Sequence, residues 1–355
     1  MQNHRPLRAS GFTLIELMIA MLLGLVVIAG VTSVFLAGQQ SFRTNDSLAE
    51  VQDSSRVAFE LMARDIREAG LTGCNSANDR VTNVLNNAPG NPSTPAWWAD
   101  WSNAVHGYDD ASTDPALTGI TGNGVPVTGT NSLELLSAGN LDVTIQTDNP
   151  GVNFKLNQPT TQLAGGDVII ACSPDHAAIL QISNYNSSNV TVGYNTGNTN
   201  KPGNCSSDLE YPNYACVVTN SPSGCVNNQH CVFPPNSKIA KLTGVDWYIG
   251  TNPAGGTSLY RVSLQNTGGN MATQTQEMVR NVTGMTITYL NPSIGAIGSN
   301  FQTASVITAK DGWAGVTAVN VALTIRSTFG RASVTGNAPI TRNYAFTTTV
   351  RNRVN

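Results

Sequence analysis

Charged residues are scarce in this sequence, and their scarcity narrows the classes of protein that it can encode. They make up 12% of the 355 residues, half of the roughly 25% that is usual in soluble globular domains. The net charge of -3 offers no excess of positive charge for binding nucleic acid through its phosphates, so no nucleic-acid partner is expected. A hydrophobic fraction of 40% with so small a net charge excludes disorder throughout the chain.

Motifs of enzymes are missing as well. The sequence contains no Gly-x-Ser-x-Gly, no His-Glu-x-x-His, no phosphate-binding loop and no dinucleotide fingerprint. Cys172 and His176 are close in sequence and could form a nucleophilic pair, but a disulfide at Cys172 is the favoured alternative. Asp109, Asp110 and Asp114 could hold calcium, although they lack the EF-hand spacing and are favoured as solvated loop acids. We therefore predict no enzymatic activity and no cofactor.

Charge is scarcest near the N-terminus, where Glu16 is the only charged residue in residues 12–40. No proline occurs in residues 12–88. As a helix, residues 12–37 would be about 39 Å long, which is enough to cross a hydrocarbon core of ~30 Å. Arg5 and Arg8 precede this segment, and the first positive residue after it is Arg43. The positive-inside bias predicts a cytoplasmic N-terminus and a body on the outer side of the membrane.

The start of the apolar segment carries a short and specific pattern, Gly11-Phe12-Thr13-Leu14-Ile15-Glu16-Leu17, behind a basic leader. It resembles the signature of the type IV pilin-like superfamily. The resemblance implies cleavage between Gly11 and Phe12 by prepilin peptidase, N-methylation of Phe12 and retention of the hydrophobic helix. It divides the chain into a leader (1–11), a pilin helix (12–69, with 12–37 in the membrane) and a periplasmic body (70–355).

Glu16 is costly in a membrane helix, and two interpretations account for it. It lies one turn from Phe12, so its carboxylate could reach the cytoplasmic interface. Alternatively, the α-amine that cleavage creates on Phe12 of one subunit could pair with Glu16 of another during assembly. Loss of one member of such a buried pair would leave a charge without a partner, at a cost of about 3–5 kcal/mol.

The chain becomes amphipathic after residue 37. A stripe of mostly apolar residues recurs every three or four positions, at Leu48, Val51, Ser55, Phe59, Met62, Ile66 and Ala69. This periodicity predicts one helix over residues 12–69, with Gly70 as the C-cap. The charged residues between these positions indicate a solvated face, with contacts between filament subunits as the alternative.

Residues 71–129 look like loop, and strand signals recur after them. The predicted strands are 132–137, 141–147, 167–172, 178–183, 190–194, 239–249, 258–264, 278–290, 316–327 and 344–351. No second helix of comparable quality follows, so a parallel sheet of βαβ units is not expected. We predict an α+β fold in which antiparallel strands pack on the amphipathic half of the long helix.

Several body segments, in their order along the chain, resemble the PilW type of minor pilin, which is related to the J-type pseudopilins. They are residues 166–170, 179–182, 245–249, 258–261, 278–285 and 346–352. The resemblance implies a structural subunit that primes pilus assembly and sits in the tip complex. The implied partners are other minor pilins, the major pilin, a PilY-type tip adhesin, prepilin peptidase and the inner-membrane assembly platform.

Two other functions remain open at this point. One is a J-type pseudopilin of a type II secretion system. The other is a membrane-anchored periplasmic binding protein or enzyme, for which Gly11 and Phe12 would stay joined. Deletion of the gene would separate the first alternative, because loss of twitching indicates a pilin and loss of secretion a pseudopilin. An uncut bond between Gly11 and Phe12 would indicate the second.

All six cysteines follow the membrane segment, in an oxidising compartment where disulfides persist. The favoured pairs are Cys205–Cys216, Cys225–Cys231 and Cys74–Cys172, among the fifteen connectivities that six cysteines allow. Zinc bound by the last four cysteines or His230 is a weaker alternative, because no C-x2-C pair is present. Trp97, Trp98 and Trp101 form an aromatic cluster that could anchor the long loop or meet a partner.

Overall fold

The computed structural model describes residues 11–73, 81–91, 93–139, 143–174, 176–197, 199–209, 232–294, 300–333 and 338–353. It confirms the predicted α+β class: a long N-terminal helix accompanies a large β-sheet body. Two compact units are present. The helix unit comprises the chain up to Gln52 together with Ser327–Thr341, and the body unit comprises Asp53–Arg326 and Arg342–Asn355.

The long helix, α1, runs from Leu14 to Glu68, close to the predicted bounds. Gly70 lies just beyond its end and has a φ of 73°, the left-handed conformation that favours glycine at a helix C-terminus. The Gly70 N–H donates to the carbonyl oxygen of Leu136 at 2.7 Å, so the residue that ends the helix also joins it to a strand of the body.

The predicted inward stripe of α1 is confirmed in its second half, where Val51, Met62, Ile66 and Ala69 are fully buried. The outward face carries two ion pairs, Arg56–Glu60 at 3.0 Å and Arg64–Glu68 at 3.4 Å, each between residues one helical turn apart. These side chains are largely exposed, as the solvated-face interpretation predicts.

Fifteen strands and one short helix follow within the described residues. They are β1 (Val81–Asn83), β2 (Val105–Tyr108), β3 (Ser132–Ala138), β4 (Val143–Asn149), β5 (Asn153–Leu156), β6 (Val168–Cys172), β7 (Ala177–Gln181), β8 (Asn184–Asn186), β9 (Thr191–Gly193), β10 (Lys238–Thr251), β11 (Thr257–Thr267), β12 (Asn270–Arg280), β13 (Val282–Leu290), α2 (Ala304–Ala309), β14 (Ala318–Arg326) and β15 (Thr341–Thr349).

The long strand β10 organises the body. Its first half pairs with β6 and β4, and its second half pairs with β3 and β11. The resulting network of twelve strands runs β1-β7-β6-β10-β4-β5-β9-β8, with β3-β2 and β11-β12 as branches from β10. A separate antiparallel sheet has the order β13-β14-β15.

Three expectations about the body were wrong. The predicted strand 278–290 is two strands, because Asn281 at a φ of 61° breaks it between β12 and β13. The segment 71–129 is not simply loop, since it holds β1, β2 and four short 3₁₀ turns. The sheet is not wholly antiparallel either, because β1 pairs with β7 in parallel.

The core of the body unit has several clusters, which explains how a chain with so many polar loops stays folded. One combines apolar residues from β4 to β7 and β9, including Ile145, Phe154, Ile169, Leu180 and Val192. A second cluster lies around Leu136, Ile170, Ile179 and Trp98. Burial of each such side chain contributes about 1.5–3 kcal/mol.

Candidate functional site: the helix N-terminus and its seat in the body

The N-terminal end of α1 places the predicted processing and assembly residues next to one another. Gly11 and Phe12 precede the helix, and Glu16 lies in its first turn. The Oγ1 of Thr13 accepts a hydrogen bond from the Glu16 N–H at 3.4 Å. Thr-x-x-Glu is the capping-box spacing, so Thr13 is an N-cap as well as part of the pilin signature. The capping role was not predicted, although this spacing signals it.

The first half of α1 leaves its apolar surface uncovered. Phe12 is 79% exposed, and the large apolar side chains from Leu14 to Leu36 are at least half exposed. An 18-residue stretch of α1 has a mean hydropathy of 2.7 and contains no buried residue. The helix is therefore long and apolar enough to cross a membrane. Such a surface is stable only in lipid or against other apolar helices.

In the body unit, α1 is fixed by a carboxylate on its otherwise apolar face. Asp65 Oδ2 accepts hydrogen bonds from Trp247 Nε1 at 3.0 Å and from Arg261 Nε at 2.9 Å. The Arg261 guanidinium also lies 5.8 Å from the centre of a Trp247 ring. Phe59 adds an edge-to-face contact with Phe346, with ring centroids 4.8 Å apart. Asp65 was predicted to be part of the solvated face, and that prediction was wrong.

A row of buried titratable groups crosses three neighbouring strands of the body. Glu134 of β3 lies opposite His106 of β2 and opposite Asp246 of β10. Burial raises the pKa of both carboxyls well above the usual range, and burial lowers the pKa of His106. The His106 Nδ1 is 3.7 Å from Glu134 Oε2, which is too long for a hydrogen bond.

Asp114 and Tyr289 complete this group, which we call the buried acid cluster (His106, Asp114, Glu134, Asp246 and Tyr289). Asp114 accepts hydrogen bonds from the Ala116 N–H at 2.8 Å and from Ser132 Oγ at 2.5 Å. Tyr289 Oη and Asp246 Oδ2 are buried and have no hydrogen-bond partner among the described residues. Burial thus favours the uncharged form of each group in the cluster, because it raises the pKa of the three carboxyls and of Tyr289 and lowers that of His106.

The three aspartates considered for calcium accept backbone hydrogen bonds, and the prediction that they are solvated loop acids was wrong for Asp114, which is buried. Asp109 accepts from the N–H groups of Ala304 and Ser305 at 3.0 and 2.9 Å, and Asp110 accepts from Ser112 at 2.9 Å. Within the part of the chain that the structure describes, no group of three or more His, Cys, Asp or Glu side chains could hold a metal ion.

Two of the six cysteines, Cys172 and Cys205, lie within the described residues, and both are disulfide-bonded. A bonded Cys172 cannot serve as the nucleophile considered above. The predicted pairing partners Cys74 and Cys216, the predicted pair Cys225–Cys231, and His230 lie outside the described residues. The predicted connectivity therefore stays a prediction.

The tryptophan cluster anchors the long loop to the body. Trp98 is 8% exposed, and Trp97 and Trp101 are partly buried against the same apolar cluster. Neighbours in this cluster include Leu136 and Leu242, so the rings pack against the core and do not form an exposed aromatic patch.

Two family models match this chain, one near its N-terminus and one in its C-terminal part. Residues 7–32 match the family model described as the prokaryotic N-terminal methylation motif, and residues 246–353 match the one described as type IV pilus-assembly protein W. The resemblance to PilW-type minor pilins is confirmed. Searches of curated proteins and of solved structures give no match.

The two matches fall on the helix N-terminus and on strands of the body that contact α1. The N-terminal match contains Gly11, Phe12 and Glu16, and the PilW match begins in β10 and includes Trp247 and Arg261. The two matches support a type IV pilus-related, pilin-like protein, and the methylation motif together with the apolar N-terminal helix fits a single-pass inner-membrane pilin that is processed for the pilus. The PilW family is a structural family of pilus assembly.

Proposed function

We propose that the chain is a minor pilin that primes assembly of a type IV pilus and remains in the tip complex. The PilW match over residues 246–353 carries the proposal, because that family model describes a pilus-assembly protein and the same chain also has the methylation motif. The large β-rich body supports a tip position, since a bulky body is harder to accommodate in a repeating shaft. The proposed partners are other minor pilins, the major pilin, a PilY-type tip adhesin and the assembly platform.

Processing is the first step of the proposed mechanism. Prepilin peptidase would cleave between Gly11 and Phe12, and N-methylation of Phe12 would leave its α-amine positively charged. Phe12 and Glu16 are both exposed within a single subunit, so the amine of one subunit could reach the carboxylate of another. The exposed apolar helices would then bundle, and the ion pair would set their register.

Glu16→Ala tests the assembly step. The variant should be processed normally but should enter sheared filaments poorly, because the amine of its neighbour would lose its partner. Thr13→Ala is the matched control, since it removes the N-cap hydrogen bond and keeps the carboxylate. Equal recovery of both variants in filaments would contradict the pairing.

The tip role is tested by N-terminal sequencing of the mature protein and by immunogold labelling of filaments. We expect methylated Phe12 as the first residue, label at filament ends, and fewer surface pili when the gene is deleted. A leader that stays attached, or label spread along the shaft, would contradict the proposal. Loss of type II secretion with normal pili would instead identify a J-type pseudopilin.

A further inference from the structure

The segment that follows β14 is tied to α1 just beyond the membrane-spanning residues. We call residues 327–333 the strap. The Gln40 side-chain amide donates to the carbonyl oxygens of Arg331, Ala332 and Ser333 at 3.2–3.4 Å. Thr44 Oγ1 donates to the carbonyl oxygen of Ala332 at 2.6 Å. Backbone carbonyls of the strap are thus satisfied by the helix.

The other end of the strap is held by charged side chains of α1. Glu50 accepts hydrogen bonds from the Thr328 N–H at 3.2 Å and from the Thr328 hydroxyl. The Arg43 guanidinium lies 5.2 Å from the centre of the Phe329 ring, within the range of a cation–π contact. The strap is therefore fixed along the helix unit rather than free to leave it.

The Gln40 contacts place the Arg331 end of the strap at the level of the lipid headgroups, and the Thr328 end lies farther from the membrane, beside Glu50. The uncharged apolar run ends at Ala37, and Gln40 and Thr44 follow it by about 5 and 11 Å at ~1.5 Å per residue. The polar headgroup layer extends about 5–7 Å beyond the hydrocarbon core on each side. Because the N-terminus is cytoplasmic, this layer is the periplasmic leaflet of the inner membrane.

The surface at this level combines aromatic rings with positive charge. Phe35, Phe42 and Phe329 are 62%, 72% and 40% exposed. An open groove of about 420 Å³ lies between Phe35, Gly38, Gln39, Phe42 and Arg43.

Arg331 of the strap is exposed, and Arg43 comes before the first acids that follow the apolar run, Asp46 and Glu50. Aromatic and cationic side chains at this depth are suited to an interface rich in anionic headgroups.

We propose that the strap and the groove at Phe35 and Phe42 form a second membrane contact, which binds anionic phospholipid in the periplasmic leaflet through Arg43 and Arg331. The contact is independent of the proposed tip role, and it would have to break when the subunit leaves the bilayer.

The depth of the strap is measured with the full-length chain in nanodiscs. Phe329→Trp keeps the stacking partner of Arg43 and adds a fluorophore. Phosphatidylglycerol with bromine near the headgroup end of its acyl chains should quench most of the added emission. Val152→Trp, at an exposed position of the body unit, is the matched control and should not be quenched. Equal quenching of both would indicate general adsorption and overturn the proposal, as would no quenching of Phe329→Trp.

The charge requirement is tested by Arg331→Gln in the Phe329→Trp background. In phosphatidylglycerol, the double variant should be quenched less than Phe329→Trp alone. In phosphatidylcholine, both proteins should show little quenching. Arg67→Gln, which removes an exposed arginine from the body unit, should leave quenching unchanged. Quenching that ignores both lipid charge and Arg331 would overturn the anionic-lipid assignment. A strap that is unquenched in bilayers but protected in sheared filaments would show that a neighbouring subunit is its partner.

Discussion

Asp65 shows how one polar residue can fix a long helix on its body. Its carboxylate receives two side-chain donors from neighbouring strands, Trp247 and Arg261, and only 15% of its side chain is exposed. Trp247 is fully buried, so its indole N–H has little access to water as a replacement acceptor. The carboxylate is therefore a structural acceptor.

Asp65→Ala should lower the free energy of unfolding by about 1–3 kcal/mol, because it leaves a buried indole N–H and a partly buried guanidinium without their acceptor. Urea unfolding of the full chain in detergent, followed by tryptophan fluorescence, measures the change. Glu60→Gln is the matched control, since it removes an exposed helix carboxylate paired only with Arg56. A midpoint for Asp65→Ala equal to that of the control would contradict the assigned role.

The sequence itself places Asp65 on the buried stripe of the helix. Asp65 lies three residues after Met62 and four before Ala69, which puts it on the apolar stripe of the helix. The pilin residues Gly11, Phe12 and Glu16 were predictable because they form a contiguous motif. The donors Trp247 and Arg261 are far from Asp65 in sequence, and no local pattern brings them together.

At the scale of elements, the helix was easier to predict than the strands. An apolar run followed by a stripe of period 3.6 has only one simple interpretation over more than fifty residues. The division of residues 278–290 depends on one asparagine in a left-handed conformation, which sequence patterns do not reveal. The edge strand β12 is mostly exposed, so it lacks the apolar alternation that would have marked its start.

The close approach of β13 to β2 depends on Gly107. A Cβ added there would lie 1.8 Å from Tyr289 Oη and 2.6 Å from Tyr289 Cζ. Gly107→Ala should therefore destabilise the body by about 1–3 kcal/mol, through displacement of the Tyr289 ring. Gly165→Ala is the control, because its Cβ would meet the Ser183 carbonyl oxygen at an ordinary 3.5 Å. Thermal unfolding of both variants measures the difference, and equal melting temperatures would contradict the role of Gly107.

At the scale of the whole molecule, the buried acid cluster links folding to pH. Burial raises the pKa of Glu134 and Asp246 well above the usual range of about 4. The folded body therefore binds more protons than the unfolded chain. Stability is fully present below the unfolded pKa and is lost as the pH rises through the folded pKa values. His106, whose pKa burial lowers, acts in the opposite sense, because its protonation at low pH favours the unfolded chain.

We expect the carboxyls to dominate above pH 5, so that the unfolding free energy of the full chain falls from pH 5 to pH 8. Glu134→Gln replaces the protonated acid with a neutral side chain of the same shape, and should flatten this profile by stabilising the body most at pH 8. Urea unfolding at several pH values in one detergent measures the profile. Glu60→Gln should leave its slope unchanged, because that carboxylate is exposed. A wild-type profile that rises from pH 5 to pH 8, or one that Glu134→Gln does not alter, would show that Glu134 is ionised in the folded body.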